Sequence, residues 1–116
     1  MTNSMRSIKA RVGLPCEVRF HNSWLKPVGG ITVELSRDWM IVTAFPLFPF
    51  ARLKGVTHVS VSIQLPHAGF QPHHILECSG MICELRLVES GMRVHTAINS
   101  ISIQDRDHEQ RHCAVQ

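Results

Sequence analysis

No run of roughly eighteen apolar residues occurs anywhere in this chain, which excludes a transmembrane helix. Met1 to Ala10 holds no apolar stretch of the kind a secretory signal needs, so a cytoplasmic protein is expected. Cysteine is sparse: Cys16, Cys78, Cys83 and Cys113 are too few and too scattered for a disulfide scaffold. None of their spacings is the C-x2-C of a structural zinc site. There is no Gly-rich phosphate loop and no HExxH motif. No carboxylate pair sits in a loop where an acid/base couple would work, and no local signature marks a cysteine nucleophile. An enzyme is therefore not expected. Charge is also modest, at 18% charged residues and a net +3. That permits an anionic ligand without demanding nucleic acid, which is not an expected partner.

What is present is a chain of 116 residues, enough for one domain, with 44% hydrophobic residues to build its own core. The dominant periodicity is two, which marks half-buried strands. Leu14, Cys16, Val18 and Phe20 alternate with Glu17, Arg19 and His21. After turn material from Asn22 to Gly30, Ile31, Val33 and Leu35 alternate with Thr32, Glu34 and Ser36. Ser36-Arg37-Asp38 breaks that strand, and Met40, Val42 and Ala44 return as the second arm of a tight hairpin. Val59, Val61, Ile63 and Leu65 form the clearest alternation. Pro66 to His74 reads as a loop. Ile75 to Glu89 reads as one long bent strand or a strand pair, with a bulge or close approach at Gly80. The last strand runs from Gly91 to Ile103, with Val94, Thr96 and Ile98 on one face.

Between the third and fourth strands lies Phe45-Pro-Leu-Phe-Pro-Phe50. Its two prolines forbid a central strand. Its aromatics are expected to fold back onto the core, with an exposed docking patch as the alternative. One helical turn is expected near Phe48 to Lys54. Cys16 and Cys83 fall in step with apolar neighbours and are expected to be small buried hydrophobes. The eight histidines include His73-His74 ahead of Cys78 and Cys83, and His108 and His112 before Cys113. Surface histidines are expected, with no metal. The pattern predicts an all-β barrel or sandwich of six or seven short antiparallel strands.

The order of these signals resembles the PilZ domain family over roughly Arg6 to Asp105. A basic stretch, Arg6-Ser7-Ile8-Lys9-Ala10-Arg11, precedes the strand containing Leu14-Pro15-Cys16-Glu17-Val18. Ile31 to Val42 looks like the family's hairpin, in which Asp or Asn, any residue, Ser, two more residues and Gly cross the turn. Gly55, Leu65-Pro66 and Ile75-Leu76-Glu77-Cys78-Ser79-Gly80 follow in the family's order. Arg6 and Arg11 have four residues between them where the family has three. Glu34 stands in place of Asp or Asn, Ser36 matches, and Trp39 stands in place of Gly.

The resemblance implies a six-stranded antiparallel β-barrel over 13–105, with a basic arm at 1–12, a polar tail at 106–116 and a short connecting or terminal helix. It also implies binding of cyclic di-GMP, through Arg6, Lys9, Arg11, Glu34 and Ser36 with Trp39 flanking, and relay to a protein partner, with self-association open. The chemistry is coherent. An arginine fork can chelate guanine O6 and N7, stack on a base or clamp a phosphate. Glu34 can accept from the guanine N1 and N2 donors. Ser36 can donate to phosphate or guanine. Trp39 can stack on a base, or it can plug the site. The second outcome is a PilZ-like interaction module without nucleotide, using Phe45 to Phe50 with Trp24 and Trp39.

Overall fold

Six strands alternate apolar and polar residues over most of their length, so each can bury one face only. Closing the sheet on itself gathers all six apolar faces inside. The structure, a computed structural model, describes residues 13–22, 24–65 and 74–105. The strands are β1 (Pro15–Phe20), β2 (Val28–Leu35), β3 (Trp39–Ala44), β4 (His58–Gln64), β5 (His74–Val88) and β6 (Gly91–Asp105). They form a closed barrel in the order β1-β2-β3-β6-β5-β4, every neighbouring pair antiparallel. The all-β barrel expected from the alternation is the fold observed. The expected helical turn is a single 3-10 turn at Phe50–Leu53. Gly55, which follows it, has φ +86°, a conformation that β-carbon-bearing residues rarely adopt. No helix among the described residues is long and apolar enough to cross a membrane.

The interior is lined by Val18 and Phe20 of β1, Met40, Val42 and Ala44 of β3, Val59, Val61 and Ile63 of β4, and Met92 and Val94 of β6, all buried. Each of these side chains larger than Ala44 contributes about 1.5–3 kcal/mol relative to exposure, which makes this wall-to-wall packing the main stabilising term. β5 is one long strand, irregular at two places. At the first, Ser79 pairs with Ser100 and Gly80 with Ile98, so Asn99 is an extra residue on β6. A Cβ at Gly80 would overlap the Ala97 carbonyl oxygen, so only glycine allows the two strands this approach.

Three expectations need correction. The phase of β2 is opposite to the expected one over its first part: Ile31 is exposed, whereas Thr32 is buried. A register shift between Thr32 and Glu34 leaves Val33 as a bulge, and beyond it Leu35 turns inward opposite buried Met40. Cys83 is exposed rather than buried, because it occupies the second irregularity of β5, between Ile82 and Glu84. Cys78, opposite Val61, is the buried cysteine, and Cys16 is partly buried. In the connector after β3, only Phe48 folds back, meeting Phe20 edge-on with ring centroids 6.3 Å apart. Phe45 and Phe50 are 40% and 41% exposed and Leu47 is 99% exposed. The loop expected at Pro66 to His74 lies outside the described residues, except His74, which opens β5.

Candidate functional site

The chain enters the barrel at a lock built on Thr32. The Gly13 amide donates to the Thr32 carbonyl at 3.1 Å, and the Thr32 amide donates to the Leu14 carbonyl at 3.0 Å. The Leu14 amide donates to Thr32 Oγ1 at 2.8 Å. Thr32 turns inward because its hydroxyl has this work to do, and the alternation of β2 yields to it. Gly13, the first described residue, is therefore held beside Thr32, two positions before Glu34, and residues 1–12, with Arg6, Lys9 and Arg11 and no acidic residue, precede it in the sequence. The three cationic residues themselves lie outside the described residues.

Beyond the Val33 bulge, Glu34 pairs with Ile41, and both face out of the barrel. The same outer row continues through His95 of β6 to Glu84 of β5. In the adjacent row, Trp39 lies beside Ala97, then Met81, then His58. Glu34 and Trp39 thus share the outer wall near one end of the barrel, on the two arms of one hairpin.

Ser36 holds the turn between those arms. Its amide donates to the Trp39 carbonyl at 2.9 Å. Its hydroxyl donates to the same carbonyl at 3.2 Å. It also accepts from the Asp38 and Trp39 amides, each at 3.3 Å. One donor and two lone pairs are then all engaged, so Ser36 shapes the hairpin rather than offering a spare hydroxyl. No non-glycine residue among those described has positive φ. The turn therefore does not need glycine where Trp39 stands, and Trp39 opens β3 half-buried. The Ile98 amide clamps the turn to β6 through the Asp38 carbonyl at 2.8 Å.

One feature escaped the sequence reading. On the outer wall of β1, β4 and β5, Ser62 donates to Glu77 Oε2 at 2.6 Å. Arg19 reaches Ser62 at 3.2 Å and Glu77 at 3.4 Å. Nearby, His21 and His58 stack at 6.1 Å, and His21 Nε2 meets Ser60 Oγ at 2.7 Å. The partners are 58 residues apart for Arg19 and Glu77, so no local pattern signals them. The exposed patch that the sequence offered as the alternative for Phe45 to Phe50 forms an apolar end, opposite the arm root. A groove of about 410 Å³ lies between Trp24 and Phe45, and one of about 420 Å³ between Phe50 and Leu87. The connector 45–50 is their shared wall. Trp39 sits at the other end of β3 from Phe45 and is no part of this surface.

Burial keeps two of the described thiols protonated at neutral pH. Burial pushes Cys16 up to about 12. Burial, with the neighbouring Glu77 charge, pushes Cys78 up to about 11. Among the described residues no group of three or more His, Cys, Asp or Glu side chains could hold a metal ion. His73, His108, His112 and Cys113 lie outside the described residues. No family model matches this chain, and neither a curated protein nor a solved structure does.

Proposed function

We propose that this barrel is a PilZ-type receptor that binds cyclic di-GMP at the β2–β3 hairpin and relays the event to a protein partner. The observation that carries the reading is the Gly13–Thr32 lock. It sets the root of a basic arm beside the hairpin that bears Glu34 and Trp39. In this reading Arg11 and Arg6 fork onto guanine edges or phosphates, with Lys9 adding charge. Glu34 accepts from a guanine Watson–Crick edge. Trp39 supplies a stacking face, and Ser36 keeps the two arms of the hairpin in position. The closed six-stranded barrel is the fold that the resemblance implies, and it supports the same reading.

A contact surface for the partner has its own support in the exposed apolar end. Trp24 is 85% exposed and Leu87 64% exposed there. β2 and β3 connect the two regions directly: Val28 lines one groove, and the Phe45 amide donates to the Gly29 carbonyl at 2.9 Å. Ordering the hairpin at one end thereby acts on the strands that frame the grooves at the other. Without nucleotide binding, the same apolar end supports the second reading, a PilZ-like interaction module.

Trp24 and Trp39 are the only tryptophans. In a Trp24→Phe variant, emission reports Trp39 alone. Cyclic di-GMP is expected to change that emission saturably, and GMP is not. Unchanged emission at saturating nucleotide, with no thermal shift, removes the receptor reading and leaves the interaction module.

A further inference from the structure

The β5–β6 hairpin outruns its neighbours. β3 covers only Met92–Ala97 of β6, and the Ile98 amide makes the last bond across that seam. From Asn99 to Asp105, β6 has β5 on one side, and among the described residues no strand pairs with the other. β5 has a counterpart edge, because its pairing with β4 stops at Met81.

The two edges are not alike. The free part of β5 carries the irregularity at Cys83 and the charges of Glu84 and Arg86, bridged at 3.1 Å. Bulges and charges are devices that keep an edge from pairing. The free part of β6 reads Asn99-Ser100-Ile101-Ser102-Ile103-Gln104-Asp105, with no proline or glycine and its one charge at the last position. Its one irregularity, at Asn99, lies where the free edge begins. Ile101 and Ile103 are 43% and 65% exposed on it. An alternating edge with β-branched residues and no charge before its last position is a template for another strand.

We propose that residues 99–105 form a self-association edge that joins, antiparallel, the same strand of a second copy. The strand's own sequence selects that partner. Centred on Ser102, a twofold register sets Ser102 opposite its copy, Ile101 opposite Ile103, and Ser100 opposite Gln104. The apolar pairs fall on one face and the polar pairs on the other. No like charges meet along Ser100 to Gln104. The pairing satisfies the open main-chain edge and covers both isoleucines. It stands independently of any ligand.

Analytical ultracentrifugation of the full chain across the micromolar range tests this, and a dimer is expected. Ser100→Lys with Gln104→Lys sets lysines opposite each other twice across the register, and should weaken the dimer roughly tenfold or more. Ser100→Lys with Gln104→Glu sets opposite charges at the same places and should keep it. Both positions are exposed, and circular dichroism checks that each variant folds. A monomeric wild type overturns the proposal, whether the chain's own termini cover the edge or nothing does. So does a dimer that responds alike to the two double variants.

Discussion

The Leu14 amide donates to Thr32 Oγ1 at 2.8 Å, and this bond joins the start of the barrel to the strand that leads to Glu34. Thr32 is 2% exposed, so the hydroxyl works where water does not replace it. Thr96 is equally buried, yet among the described residues its Oγ1 has no hydrogen-bond partner. The two threonines should respond oppositely to the same substitution. Thr32→Val strands the Leu14 amide and should cost about 1–3 kcal/mol. Thr96→Val keeps the shape, removes an unsatisfied hydroxyl, and should be neutral or stabilising by about 1 kcal/mol. Urea denaturation midpoints of both variants check the pair, and a Thr32→Val protein as stable as wild type would remove the lock from the account.

At Gly80 the prediction concerns backbone. Gly80→Ala drives a Cβ into the Ala97 carbonyl, and neither strand can yield without losing ladder bonds. A loss of about 3 kcal/mol is expected. Gly29→Ala meets nothing within 4 Å and serves as the control, expected to change stability little.

The thiols should separate by reactivity. Cys83 is exposed and should be alkylated readily in the native protein, whereas Cys78 and Cys16 should react slowly until unfolding. Mass-spectrometric mapping after brief iodoacetamide treatment reads each site. The raised values also fix a pH trend. Below the ordinary thiol value of 9.0 both folded and unfolded chains keep these protons. Between 9.0 and the folded values of about 11 and about 12, the unfolded chain releases them and the folded chain does not. Stability should therefore fall as pH rises through that window. Cys16→Ser with Cys78→Ser should flatten that part of the curve.

Leu47, 99% exposed, should be replaceable without structural cost. Leu47→Glu is expected to change unfolding free energy by no more than about 0.5 kcal/mol. It should nonetheless lower binding of a hydrophobic dye such as bis-ANS, if the grooves beside the connector form the accessible apolar surface. Dye binding that is unaffected would place the accessible surface elsewhere.

Much of this molecule is legible from alternation alone. Val18 and Phe20, Met40 to Ala44, Val59 to Ile63, and Val94 with Thr96 all face where period two puts them. The exceptions share a cause: the decisive partner is distant in sequence. Thr32 turns inward for Leu14, 18 residues away, and no local pattern carries that bond. Val33 and Cys83 sit where a bulge resets the phase, and a bulge is a property of two strands together. The Phe45 to Phe50 connector has one core slot, beside Phe20, and Phe48 takes it. On the hairpin, the motif-like positions are legible, but the use of Ser36 is not. Its hydroxyl serves the turn, and only coordinates reveal that.

The most direct test of the receptor reading is calorimetric titration of cyclic di-GMP into the full chain, with Arg11→Ala alongside. The account predicts saturable binding at micromolar or tighter affinity, lost or weakened at least roughly tenfold in the variant. No heat and no thermal shift at saturating nucleotide would contradict it. Binding that Arg11→Ala leaves unchanged would contradict the role given to the arm beside Thr32.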